Sequence, residues 1–523
     1  MSTTAPALES YVSGRWQSGT DEGTTLTDAV TGNPVARVSS TGVDTAAAVR
    51  WGREVGGPAL RALPFAERAA LVKAVATVLG EAREELYELS ARTGATRRDS
   101  AVDIDGGIGT LAVYASKGRK ELPEGDVLLD GDIEPLGRGG TFAGRHLYRS
   151  RLGVAVQINA FNFPVWGPAE KFAPALLAGV PTIIKPATPT AYLTELMVRR
   201  VIESGVLPEG ALQLVCGSAR QLLDELDGQD SVWFTGSADT AAALRRHPAV
   251  TERSARFNAE ADSLNASVLG PDAVAGTPEF DLYVDQLVTE MTVKAGQKCT
   301  AIRRAFVPAA AADDVVEAVR SRLAEVVVGS PADERSVMGA LVSHEQRDSV
   351  REAVARLAGA GGIVYGNPAS IDVVGADDTT GAFLSPLLLR CDDTDRPEPH
   401  DIEAFGPVST VLPYTGTADV VDQLARGGGS LVASVVSEDA AFQRDVVLGA
   451  GAHHGRMLLL DRHSAAENTG HGIPMPQLVH GGPGRAGGGE EEGGLRAVLH
   501  HMQRVAIQGS PALLESFAPG PRP

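Results

Sequence analysis

Residues 154–185 read VAVQINAFNFPVWGPAEKFAPALLAGVPTIIK, and this stretch decides the fold. Val154–Ile158 is an apolar run of strand length, Ala169–Ala178 has helical spacing, and Thr182–Lys185 is a second short apolar run. A strand, a helix and a strand so closely joined make a parallel pair with a crossover helix. The pattern continues outward. Tyr192–Ser204 has helical periodicity and stops at Gly205, with Pro208 just beyond, a helix terminator. Leu212–Cys216 and Ser231–Thr235 read as further strands, the second followed by a helix over Thr240–Arg246. A second alternating block runs over residues 283–440, with helices predicted over Asp313–Val326 and Val350–Ala358 and a strand over Ser409–Pro413. The fold class is α/β.

Three segments stand apart from this alternation. Thr141–Ser150 and Leu495–Gln508 alternate as strands and read as arms that pair at a subunit interface. Such arms would leave open strand edges in a monomer, so at least a homodimer is expected. Gly470–Gly494, containing GGPGRAGGGEEEGG, reads as a flexible surface loop, of a length that is often functional.

The 523 residues allow two or three domains. With 43% hydrophobic and 22% charged residues the chain has an ordinary globular mixture. Its net charge of −19 repels phosphate backbones and anionic lipid, which argues against nucleic-acid or membrane partners. No apolar run is long enough to span a bilayer, and the opening MSTTAPALES has neither the basic start nor the apolar run of a signal peptide. Three cysteines without CxxC spacing form no disulfide framework, so a reducing, cytoplasmic setting is expected.

Residues 293–304, VKAGQKCTAIRR, place Cys299 among Lys294, Lys298, Arg303 and Arg304. A lone cysteine is ordinarily a small buried hydrophobe, but nearby cations lower a thiol pKa and favour the nucleophilic thiolate. Cys216, in the apolar run LQLVC, and Cys391, ahead of Asp392 and Asp393, read as structural. Upstream, FNAEADSLNA (257–266) sets Glu260 among small and polar residues. An isolated glutamate is ordinarily a surface residue; partial burial would raise its pKa and make it a general base, with Asp262 the neighbouring competitor. Asn162 lies in NAFNFP at a strand-to-helix junction. There its amide can donate to a developing oxyanion, although Asn-Phe-Pro alone ordinarily marks a turn.

No GxGxxG follows a strand. Instead SVWFTGSADT (231–240) offers Gly236 and Ser237 between a strand and a helix, where free amides can hold a pyrophosphate. Lys185 ends a strand in TIIKPATPT (182–190), a position suited to a ribose or phosphate contact. The pairs His453–His454 and His500–His501 have no third ligand at useful spacing and read as surface or interface residues, so no metal is expected.

In order and along nearly the whole chain, these segments resemble the aldehyde dehydrogenase superfamily. YVSGRWQSG (11–19), DAVTGNPVARV (28–38), IKPA (184–187), FTGS (234–237), the Glu260 segment, GQKC (296–299) and EAFGPV (403–408) carry the likeness. The resemblance implies a Rossmann-type cofactor domain from residues 1–130 and 151–267. It further implies an α/β catalytic domain over 268–480 and a small β oligomerisation arm from 131–150 and 495–515. It gives Cys299 the role of nucleophile, Glu260 that of general base, and Asn162 with the Cys299 amide that of oxyanion hole. Lys185 would contact the adenine ribose, Ser237 beside Gly236 the pyrophosphate, and Glu403 the nicotinamide ribose, with Phe405 packing nearby. The reaction would run through a thiohemiacetal, hydride transfer and a thioester hydrolysed by water that Glu260 activates.

Two departures narrow the likeness. Three positions after Lys185, where many NAD-dependent members carry an acid, stands Thr188. Threonine can donate to a 2′-phosphate and Lys185 can pair with it, so NADP is expected in preference to NAD. Around the base, EADSLN (260–265) replaces the family's usual ELGGK. With KAGQKCTAIRR and the tail PMPQLVHGGPGRAGGGEE and MQRVAIQGSP, it resembles the subgroup acting on CoA-linked semialdehydes in phenylacetate or benzoate catabolism, of PaaZ and BoxD type. The chain stops at Pro523, so the hydratase domain of the PaaZ type is expected to be absent. The competing readings are an aldehyde dehydrogenase of another substrate class, a CoA-acylating enzyme, and a dehydrogenase-fold binding protein without catalysis.

Overall fold

The run VAVQI forms the strand Ala155–Ile158, buried at every residue, inside a seven-stranded sheet. Its partners Thr182–Lys185 and Ser231–Thr235 lie parallel on either side, with Ala155 opposite Thr182 and Ser231. The structure, a computed structural model, describes residues 5–218 and 220–517. The first four residues of MSTTAPALES and the six ending at Pro523, with the readings made on those ends, lie outside the described residues.

The full sheet order is Arg256–Glu260, Ser231–Thr235, Ala155–Ile158, Thr182–Lys185, Leu212–Leu214, Glu9–Val12 and Arg15–Ser18. The first five are parallel, and the last two are the antiparallel hairpin of YVSGRWQSG. Helices cover the sheet on both faces, which is why its central strands Ala155–Ile158, Thr182–Lys185, Leu212–Leu214 and Ser231–Thr235 are buried along nearly their whole length rather than alternating. The crossover helix Trp166–Ala178 is buried at every residue except Gly167. A helix enclosed on all sides is expected to be apolar all round, yet this one carries Glu170 and Lys171.

A second seven-stranded sheet has the order Gly362–Tyr365, Leu387–Arg390, Val408–Tyr414, Arg304–Pro308, Ala266–Leu269, Ser430–Val436 and His454–Leu460. All its pairings are parallel except that of the edge strand Gly362–Tyr365. The predicted helices are present as Ala238–Arg245, Ala312–Leu323 and His344–Ala358. The last begins earlier than its apolar periodicity, because the Ser343 side chain caps it by accepting from the Gln346 amide. No described helix is long and apolar enough to cross a membrane.

Three elements differ from their sequence-based reading. Leu495–Gln508 is a helix, Leu495–His500, followed by a strand, Met502–Gly509. Leu495, Val498 and Leu499 have i, i+3, i+4 spacing, which wins over the weaker alternation. The strand pairs antiparallel with Ala143–Ser150, and Leu128–Pro135 completes a three-stranded sheet.

Gly470–Gly494 is not simply a flexible loop. Val479–Gly481 and Glu490–Glu492 pair antiparallel with His480 opposite Glu491, and His480, Glu491 and Glu492 are buried. The glycines allow a close approach. A Cβ on Gly487 would stand 2.2 Å from the Ala259 carbonyl oxygen, and one on Gly489 2.5 Å from it. Gly489 N–H donates to that oxygen, and Ala261 N–H donates to Ala486 O.

The histidine pairs are half interior. His454 and His501 are buried, one hydrogen-bonded to Ser430 Oγ at 2.6 Å, the other stacked on Trp233 with ring centroids 4.3 Å apart.

Candidate active site

In an open parallel sheet, ligands bind beyond the carboxyl ends of the strands. Here Lys185 ends one strand, Gly236 and Ser237 follow another, Glu260 ends a third, and Asn162 lies just after Ala155–Ile158. They line a cleft of about 780 Å³ that also takes in Thr188, Cys299, Glu403 and Phe405, so all nine sequence-predicted site residues meet there. Deeper lies a chamber of about 30 Å³ between Asn162, Trp166, Glu170, Glu260, Cys299 and His480, room for one or two water molecules.

The loop carrying Cys299 is built on strain. Lys294 and Ala295 hold left-handed φ of 55° and 51°, a conformation costing on the order of 1–3 kcal/mol per residue. Hydrogen bonds compensate. Lys294 N–H donates to Asp99 Oδ1 at 2.7 Å, and the Gln297 amide bridges Lys294 O and Val342 N–H. Arg303 donates to the carbonyls of Gly296, Lys298 and Gly406. Asn265 donates to Cys299 O at 2.7 Å and Ala301 O at 3.1 Å, and is itself oriented by Ser263 Oγ. The Ser and Asn of EADSLN therefore carry the backbone of the cysteine loop.

The basic neighbours do not activate the thiol as the sequence led us to expect. Lys298 pairs with buried Glu290, Lys294 lies over the Phe163 ring, and Arg303 and Arg304 bind backbone carbonyls. Burial first, then the Glu260 charge and the hydrogen bond to it, push the Cys299 thiol well above its usual range. Cys216 and Cys391 are buried with raised thiols, as structural cysteines should be.

Glu260 also departs from expectation, in the opposite direction. Burial works to raise its carboxyl, but the His480 charge and hydrogen bond, then Lys171, outweigh it and hold Glu260 below the usual range. His480 Nε2 lies 3.1 Å from Glu260 Oε2. Burial opposes the imidazolium, and Glu260 more than restores it, raising His480 to about 9. Asp262 is committed elsewhere: its Oδ1 accepts from Ala238 N–H at 2.8 Å, at the start of the helix Ala238–Arg245.

The cleft fits a nucleotide. Lys185 is largely buried, its pKa lowered by that burial, and pairs with no carboxylate among the described residues. Thr188 opens the short turn Thr188–Thr190 beside it. Ser237 Oγ caps its own helix by accepting from Thr240 N–H. Glu403 accepts from Ser263 N–H at 3.2 Å, and burial, opposed by Arg303, raises it to about 7. Phe405 meets Phe161 edge to face.

Sequence reasoning missed His480, Glu170, Lys171, Glu491 and Glu492. Lys171 Nζ lies 2.9 Å from both Glu170 and Glu491. A charged Glu-Lys pair inside an otherwise apolar helix was the available signal for two of them; glycine density concealed the other three. Among the described residues the side-chain donor atoms of Glu260, Cys299 and His480 lie within 4.8 Å of one another.

Residues 16–504 match the Aldehyde dehydrogenase family. The chain is similar to 3,4-dehydroadipyl-CoA semialdehyde dehydrogenase of Aromatoleum evansii, 49% identical over 478 residues that cover 91% of this chain and 93% of that protein. It is similar to Protein MaoC of Klebsiella aerogenes, 50% identical over 182 residues, 34% of this chain and 52% of that protein. In fold it is similar to betaine aldehyde dehydrogenase of Staphylococcus aureus in complex with NAD+, with a TM-score of 0.84 at 21% identity over 97% of both chains.

Proposed function

The chain belongs to the aldehyde dehydrogenase family, and from that premise we propose that it oxidises a CoA-thioester semialdehyde of aromatic catabolism to its acid with NADP. The observation carrying the hydrolytic form of this reading is the small chamber where the Cys299 thiol, the Glu260 carboxylate and the Asn162 amide face room for water.

In the proposed reaction the Cys299 thiol gives up its proton by way of the carboxylate to which it is hydrogen-bonded. Sγ attacks the aldehyde carbon, forming a C–S bond, and the Asn162 amide donates to the oxyanion. NADP, when bound, supplies the ring that accepts the hydride. Lys185 and Thr188 would hold its ribose end, and Gly236, Ser237, Glu403 and Phe405, which line the same cleft, would hold it toward Cys299. The thioester left on Cys299 is attacked by chamber water, whose proton passes to Glu260. The C–S bond breaks and the acid leaves.

The CoA-linked substrate is supported by the similarity to the Aromatoleum evansii protein and by EADSLN, whose Ser263 and Asn265 hold the cysteine loop. Thr188 in place of an acid supports NADP. A cytoplasmic setting, the division into cofactor domain, catalytic domain and arm, and a homodimer joined through the arm are parts of the same reading. In a CoA-acylating enzyme, by contrast, free CoA would resolve the thioester, and a base beside a water-sized chamber would waste it. The test is turnover of CoA-linked and simple aldehydes with NADP or NAD, with and without free CoA. Acid formation without added CoA is expected; a requirement for free CoA would overturn the hydrolytic reading.

A further inference from the structure

We propose that His480 is the counter-ion that keeps Glu260 ionised, and hence usable as a base, at neutral pH. The inference deepens the proposed function and rests on its assignment of Glu260. Of four buried carboxylates in one cluster, Glu170 and Glu260 line the chamber, and Glu491 and Glu492 interact with them through Lys171 and their charges. The cations lining the chamber are Lys171 and His480. Lys171 is already committed: its ammonium faces Glu170, Glu491 and, at 3.4 Å, Gly167 O. Neither oxygen of Glu492 finds a hydrogen-bond partner among the described residues. Burial raises Glu492 to about 8 and Glu491 to about 7, so both tend to stay protonated near neutrality.

Glu260 is buried like these two, and burial disfavours its ionisation. What distinguishes it is the imidazole 3.1 Å from its Oε2. The other groups facing the cluster do not replace that contact. The Tyr114 phenol faces Glu492, while Arg456 faces Glu290, Glu492 and Cys299.

His480 is held in place by the fold. Its hairpin is fastened to the strand that ends in Glu260 through Gly489 N–H on Ala259 O and Ala261 N–H on Ala486 O. The second ring nitrogen, Nδ1, has no hydrogen-bond partner among the described residues; Glu260 is the ring's hydrogen-bonded carboxylate, and the Glu170 and Glu492 charges also favour the imidazolium. His480 acts through Glu260 and is a positioning residue; its charge, beyond its hydrogen bond, is what the chamber requires.

The test uses the full-length protein with His480→Gln, which keeps a donor and removes the charge, and His480→Gln/Glu260→Gln. Infrared difference spectra between the two should show a protonated-carboxyl band at pH 7 that fades toward pH 9. The same comparison between wild type and Glu260→Gln should show none. With a CoA-linked semialdehyde of the adipyl type and NADP, the acid limb of kcat in His480→Gln should move up by about one pH unit or more, with activity recovered at pH 9. A His480→Gln protein without the band, or one impaired equally at every pH, overturns the proposal. If His480→Gln does not fold, the wild-type comparison decides: a protonated Glu260 at pH 7 overturns it. Failure of the wild type to oxidise the substrate would instead count against the proposed function and leaves the infrared result standing.

Discussion

Lys298 Nζ lies 2.7 Å from one carboxylate oxygen of Glu290 and 2.8 Å from the other, both side chains buried, one residue before Cys299 in the chain. The lysine beside the thiol is thus a structural cation. Lys298→Met would leave Glu290 without this partner, which costs about 3–5 kcal/mol for a buried pair. Thermal unfolding should show that loss, while the pH dependence of Cys299 alkylation by iodoacetamide stays as in wild type. A raised alkylation pKa with undiminished stability would restore Lys298 as an activator of the thiol.

Thr188 lines the cleft with Lys185, at the end proposed to hold the cofactor's ribose. Thr188→Glu places a carboxylate where a 2′-phosphate would lie, and the repulsion should raise KM for NADP by about tenfold or more, equivalent to about 1.4 kcal/mol. KM for NAD should fall or hold. Steady-state kinetics with both cofactors checks this; an unchanged preference would remove Thr188 from cofactor selection.

Much of this site was legible because its residues end strands of the parallel core. Lys185 and Ser237 follow apolar runs whose burial is set by helices on both faces. Glu260, by contrast, ends a strand, Arg256–Glu260, that the sequence marked only as a stretch of small and polar residues. The His480 hairpin was not legible. Its glycines ordinarily signal chain freedom, whereas here Gly487 and Gly489 permit contact with the Ala259 carbonyl that any Cβ would block. Nor was the charge state of Glu260. Burial can be inferred from its neighbours, but the sign of its shift depends on an imidazole 220 positions away, brought near by tertiary packing.

The strand Met502–Gly509 carries Val505 39% exposed, on the small sheet proposed as a dimer arm. Val505→Asp should shift sedimentation from dimer or higher species toward monomer by placing buried charge at the contact. An unaltered distribution would put the subunit contact elsewhere.

The most direct test of the account is the intact mass of Glu260→Gln after incubation with a CoA-linked semialdehyde of the adipyl type and NADP. Glu260→Gln also removes the charge that raises the Cys299 thiol, so at pH 9 the thiol can ionise to solvent and the thioester should form. Without its base the thioester should persist, and turnover should fall by about 10²–10⁴-fold. The account predicts one acyl group per chain on the peptide carrying Cys299, formed with one equivalent of NADPH. An unmodified protein, an adduct on Cys216 or Cys391, or turnover at the wild-type rate would contradict it.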